Sequence, residues 1–133
     1  MLIQIKNRYN SKLIVDGDYE SLKEAIVKNK DNLSLSNLHY SDLSDSDLHN
    51  SDLSLSDLSD SDLSNSDLSN SDLRYIIFSN TKFYKEILNK TPIQIIGLKW
   101  SILITKLYMK IGCEFHTIEE WREKGNEIAK IFG

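Results

Sequence analysis

Ser41–Leu73 reads SDLSDSDLHNSDLSLSDLSDSDLSNSDLSNSDL, with leucine at every fifth position. The same spacing begins earlier and ends later. Leu33, Leu38, Leu43, Leu48, Leu53, Leu58, Leu63, Leu68 and Leu73 hold it, and Phe78 and Phe83 continue it. Five is the period of neither regular element. On an α-helix a step of five advances the side chain by about 500°, so the leucines form no stripe. On a strand an odd step alternates faces, so every second leucine would meet water. A chain that turns a corner every five residues brings all eleven side chains to one axis, and stacked coils then bury a continuous column. The serine two places before each leucine is small enough to point inward beside it. The aspartate before the leucine, and the two residues after it, point out. Asp, Asn and Ser suit the corners, because their short side chains hydrogen-bond to nearby backbone.

The pattern of a small residue, Asp or Asn, Leu and two variable residues resembles the pentapeptide-repeat family from about Asp31 to Phe83. The resemblance implies a mainly β fold, a right-handed quadrilateral β-helix with four units per coil. This chain uses Ser where the family often has Ala, so inward hydroxyls need backbone partners. The resemblance implies three regions in one continuous domain. Residues 1–30 form an N-terminal β-hairpin and capping helix, 31–85 the repeat β-helix, and 86–133 C-terminal strands and a capping helix. LIQIK and KLIVD alternate apolar and polar residues around Tyr9-Asn10-Ser11, as a hairpin does. Ser21-Leu22-Lys23-Glu24 is a capping box that opens a short helix over Ala25 and Ile26. Beyond Thr91-Pro92, the apolar run to Cys113 suggests two or three strands. Thr117-Ile118-Glu119-Glu120 is a second capping box, followed by a last helical turn or two over Asn126–Phe132. The stretches YESLKEAI and KIGCEFHTIEEW resemble those of bacteriophage members of the family, which implies a phage or prophage origin.

Charge is organised along the chain. From Asp31 to Leu73 there are ten Asp and no Lys or Arg, and both flanks are net basic. With four units per coil, positions 20 apart stack at about 4.8 Å. The outward columns are then Asp42/Asp62, Asp47/Asp67, Asp52/Asp72 and Asp57. Stacked carboxylates repel by about 1 kcal/mol per pair even at the dielectric of water. Three readings stand: each Asp ties its own corner, the columns bind a basic partner, or they hold a divalent cation. Leu35, Leu55 and Tyr75 stack in another outward column. That stripe either packs under a terminal segment or serves self-association, including a homodimer.

The chemistry of an enzyme is missing. Cys113 and His116 lie close in sequence, but a closed zinc site needs four ligands, and His39 and His49 read as solvated repeat positions. No Gly-rich phosphate loop occurs, and nothing selects a histidine for a triad. Trp100 and Trp121 read as core. No catalytic residue, metal or cofactor is expected. A lone cysteine and the absence of an 18-residue apolar run fit a soluble cytoplasmic protein, and the resemblance to phage members implies a bacterial host cell. Direct nucleic-acid binding by the repeat is disfavoured, because the acidic block repels phosphate. Two roles remain. One, which the family resemblance implies, is a protein-interaction module whose acid columns act as a likeness of DNA and engage a host DNA- or RNA-handling or defence protein. The other is a structural or assembly protein built on the Leu35/Leu55/Tyr75 face.

Overall fold

The computed structural model describes residues 1–95, 102–112 and 114–132. The five-residue spacing acts as the corner argument requires. The last residue of each unit turns the chain by adopting a left-handed conformation, from Leu35 (φ 66°) through Asp45, Asn50, Asn65 and Asn70 to Asn80 (φ 53°). Asn and Asp tolerate that region better than other non-glycine residues. Between corners the coils pair in parallel at a step of 20 residues: Asn37 with Asp57, Asp42 with Asp62, Asp47 with Asp67, Asp52 with Asp72, Asp57 with Ile77 and Asp62 with Lys82. Leu38 N–H donates to Asp57 O (2.9 Å) and Asp57 N–H to Ser36 O (2.9 Å), and the other ladders repeat this exchange. One coil is therefore four units. A corner every five residues leaves a single bridge on each segment, so long parallel strands never form.

All eleven spaced residues from Leu33 to Phe83 are buried, none more than 4% exposed. At about 1.5–3 kcal/mol for each fully buried large apolar side chain, this column dominates the fold. Four inward hydroxyls find backbone in the coil beneath: Ser56 Oγ donates to Leu33 O (2.7 Å), Ser61 to Leu38 O (3.0 Å), Ser71 to Leu48 O (2.6 Å) and Thr81 Oγ1 to Leu58 O (2.7 Å), while Ser66 Oγ donates to Leu63 O of its own coil (2.7 Å). The first coil has no coil beneath it. Ser36 and Ser46 belong to that coil, and their buried hydroxyls have no partner among the described residues.

At the N-terminus β1 (Leu2–Lys6) and β2 (Leu13–Asp18) form an antiparallel hairpin with Ile5 and Val15 buried. Helix α1 (Leu22–Lys28) starts where Ser21 Oγ accepts from Glu24 N–H (3.1 Å), and it buries Ala25 and Ile26 completely. A 3-10 turn, Lys30–Asn32, delivers the chain to Leu33.

The array ends differently from its sequence outline. Tyr84, one residue earlier than the spacing demands, takes the left-handed turn (φ 51°). Strand β3 (Thr81–Phe83) then pairs antiparallel with β4 (Glu86–Leu88), and Leu88 is buried beyond the expected end of the column. The compact unit that contains the coil accordingly runs Met1–Thr91, so β4 belongs with it and not with the C-terminal segment that the sequence reading begins at residue 86.

Pro92–Gly133 forms a second compact unit, where the sequence reading expected one continuous domain. It holds a four-stranded antiparallel meander: β5 (Ile93–Ile95), β6 (Ile102–Ile104), β7 (Tyr108–Ile111) and β8 (Glu114–Thr117). Two or three strands were expected. The fourth was missed because EFHT sits directly against the capping box and reads as the approach to a helix. One helix, α2 (Ile118–Phe132), runs from the capping box through the expected last turns over Asn126–Phe132. Thr117 Oγ1 accepts from Glu120 N–H (3.1 Å) while Glu120 Oε2 accepts from Thr117 N–H (2.8 Å), which is the reciprocal capping box. Trp121 Nε1 donates to Met109 O (2.7 Å) and so ties the helix to β7. Trp100 and Cys113 lie outside the described residues. No helix among the described residues is long and apolar enough to cross a membrane.

Candidate functional site

The aspartates of the repeat each have a local duty. Oδ1 of Asp42, Asp52, Asp57 and Asp62 accepts two bonds from the serine two residues on, one from its N–H (2.8–3.1 Å) and one from its hydroxyl (2.5–2.6 Å). Asp67 accepts from Ser69 N–H (2.9 Å). At Asp47 and Asp72 the same place is filled by His49 and Arg74. These Asx bonds hold the corner and fix the carboxylate that makes them. Because Asp42 bridges Asp62, Asp47 bridges Asp67 and Asp52 bridges Asp72, the columns stack as their spacing implies.

Hydrogen bonds and cations lower four of these carboxyls, Asp42, Asp47, Asp62 and Asp72. Asp62 is lowered to about 2, first by the Ser64 hydroxyl and then by Lys82, whose Nζ lies 2.9 Å from Oδ2. The Ser44 hydroxyl holds Asp42 below the usual carboxylate range, with Lys23 adding a smaller push. His49 does so for Asp47, with Lys30 Nζ 3.7 Å away. Arg74 grips Asp72 with Nε and Nη2, at 2.5 Å for the closest pair, and lowers it in the same way. A cation of the chain thus serves the Asp42/Asp62, Asp47/Asp67 and Asp52/Asp72 ladders. Asp57 and its corner neighbour Asp60 have no ion pair within 4.0 Å among the described residues.

The Leu35/Leu55/Tyr75 column is uneven. Arg8 N–H donates to Leu35 O (2.8 Å), and the Arg8 guanidinium donates to Ser56 O (3.2 Å), so the N-terminal hairpin lies along the lower part of this edge. Leu35 and Leu55 are half-buried, whereas Tyr75 is 76% exposed. Both readings of the stripe therefore have a footing, one at each end.

Histidine chemistry is local as well. His39 is exposed, as its repeat position implies, and lies edge-on to Tyr40 at 5.0 Å. His49 departs from its expected solvated role. Its Nδ1 contacts Asp47 Oδ1 and stands 3.3 Å from Lys30 Nζ. Asp47, His49 and Asp67 offer ligand atoms within 4.8 Å of one another. The Lys30 ammonium already stands beside two of these three groups, Asp47 and His49. His116 Nε2 meets Glu114 Oε2 at 2.8 Å, with the ring edge-on to Trp121 at 5.3 Å. The pairing of Lys82 with Asp62 was readable from the 20-residue register. The roles of Lys23 and Lys30 were not, because they come from the cap and share no register with the coil.

Stacked 20-residue coils, a leucine column and side chains spent on corners define a repeat solenoid, a fold whose outer surface is its working part. The model of the family described as pentapeptide repeats matches residues 32–54 and 61–85, in eight copies, so this part of the chain carries pentapeptide repeats. Such repeats generally serve as protein-interaction or structural modules. No curated protein and no solved structure matches the chain.

Proposed function

We propose that the chain is a non-catalytic protein-interaction module of phage or prophage origin, active in the bacterial cytoplasm. Its acidic coil binds a basic site on a host nucleic-acid-handling or defence protein, in the manner of a small DNA mimic. The observation that carries this reading is the run of ten Asp without Lys or Arg from Asp31 to Leu73, set on rigid corners. Preorganised carboxylates lose little freedom when a basic partner arrives, and they steer its approach. The coil is taken as the right-handed quadrilateral form that the resemblance implies, and the 20-residue bridging register supports four sides. Eleven units make under three coils, so at about 4.8 Å per coil the rod is roughly 13 Å long. That is about four base-pair steps, so the complementary site is small. A second reading, self-association through Leu35, Leu55 and Tyr75, is favoured by the exposure of Tyr75.

The test is a low-salt pull-down from bacterial lysate, read by mass spectrometry. Wild type is compared with a variant in which Asp42, Asp47, Asp52, Asp57, Asp62, Asp67 and Asp72 are all changed to Asn. Asparagine keeps the Asx acceptor and removes the charge, so the corners survive. A DNA- or RNA-handling protein held by wild type and lost by the variant is the expected result. If both baits capture only themselves, the acidic reading fails and the assembly reading takes its place.

A further inference from the structure

One ladder of the coil differs from the other three in two independent ways. It is made by residues 36–40, 56–60 and 76–80, joined through the bridges Asn37–Asp57 and Asp57–Ile77. The first difference is charge. The other ladders carry a cation of the chain on their carboxylates, namely Lys82, Lys30 and Arg74. Asp57 and Asp60, on this ladder and its corner, carry none within 4.0 Å among the described residues.

The second difference is conformational. Eleven coil residues from Leu35 to Tyr84 have positive φ, and five of these are neither Asn nor Asp. Four of the five, Leu35, Tyr40, Leu55 and Tyr75, stand at the two corners that border this one ladder. A large side chain in the left-handed region is strained, and asparagine would fit with less strain. Folding therefore does not account for Tyr40 and Tyr75. They are 74% and 76% exposed, so core packing does not account for them either. Ile77 lies between the corners and is 39% exposed. Exposed tyrosines around carboxylates that lack a counter-ion have the make-up of a recognition surface.

We propose that this ladder is a docking face for a segment of a partner protein that presents Lys or Arg beside apolar residues. Asp57 and Asp60 take the partner's cation, in the place that a flank cation fills on the other ladders. Tyr40, Tyr75 and Ile77 take the apolar neighbours. The inference rests on the proposed basic partner and narrows the contact to one side of the coil.

The probe is an amidated peptide, Leu-Arg-Trp-Arg-Leu, titrated at low salt into the full isotope-labelled chain and followed by amide NMR shifts. Shifts are expected over residues 35–40, 55–60 and 75–80, and they should vanish when the peptide carries Glu for Arg. Changing Asp57 and Asp60 to Asn, or Tyr40 and Tyr75 to Asn, should weaken binding about tenfold. The tyrosine changes should leave the melting temperature level or higher, because Asn suits the corner. Asp42→Asn with Asp62→Asn should weaken binding far less than Asp57→Asn with Asp60→Asn, because those charges act only at a distance. Shifts centred on the Asp42/Asp62 or Asp47/Asp67 ladders would overturn this face while leaving the acidic reading in place. No binding anywhere would overturn both. Equal binding of the Glu peptide, or concentration-dependent shifts at Tyr75 without peptide, would assign the face to apolar contact or to a second copy and end the proposal.

Discussion

Ser46 and Ser61 occupy the same place in the repeat, each opening a Ser-Asp-Leu triplet. Both are buried, yet Ser61 Oγ donates to Leu38 O at 3.0 Å while Ser46 Oγ has no partner among the described residues. Removing a bonded buried hydroxyl leaves its acceptor short and costs about 1 kcal/mol. Removing an unsatisfied one relieves a desolvation penalty of similar size. Ser61→Ala should therefore lower unfolding free energy in urea by about 1 kcal/mol, and Ser46→Ala should raise it or leave it level. Equal losses in the two variants would show that the hydroxyls do not work as the geometry states. Sequence could not separate the two residues, because their triplets are identical. What distinguishes them is the Leu38 carbonyl that the coil beneath offers to Ser61, and that depends on where the stack begins.

The Asp42/Asp62/Lys82 ladder shows what a column of charge does to stability. The folded pKa of Asp62, about 2, lies below its ordinary value of 3.8. The carboxylate therefore contributes stability that is fully present above about pH 4 and is lost as pH falls through about 2. Unfolding free energy should fall with acid across that window. Asp62→Asn, which keeps the acceptor for Ser64, should flatten part of the fall, and a variant that falls as steeply as wild type would assign the acid sensitivity to other groups. This ladder was legible in advance, since its members are 20 apart. The hairpin, α1 and the α2 capping box were legible for the same kind of reason, being set by alternation and capping within a few residues. The β3–β4 reversal was not. It turns on Tyr84, where nothing in the local sequence announces a corner one residue early.

Charge distribution joins the cap to the coil. The acidic block and basic flanks are visible in the chain, but their pairing is not, because the cations arrive from two directions. Arg74 and Lys82 follow from the array itself. Lys23 and Lys30 come from the N-terminal cap. Lys23 Nζ donates to Ser44 O, and Lys30 O accepts from Asp52 N–H (2.8 Å) while its ammonium faces Asp47 and His49. The cap therefore bonds to the first coil and also brings cations to the lowest carboxylates of the stack. Lys30 is only 21% exposed, so its position is held by packing, which makes the pair worth more than a free surface contact. In Lys30→Met the apolar stem remains, and Asp47 and Asp67 lose the ammonium between the cap and their ladder. The expected loss at low salt is about 1 kcal/mol of unfolding free energy. It should shrink as salt rises, because screening weakens both the lost attraction and the repulsion left behind. Lys106→Met, in the second unit, serves as the control and should be silent at any salt. If the Lys30 variant loses the same stability at low and high salt, the lysine acts through packing alone. The acidic stack would then need no counter-charge from the cap, and the distinction between countered and uncountered ladders would lose its energetic basis.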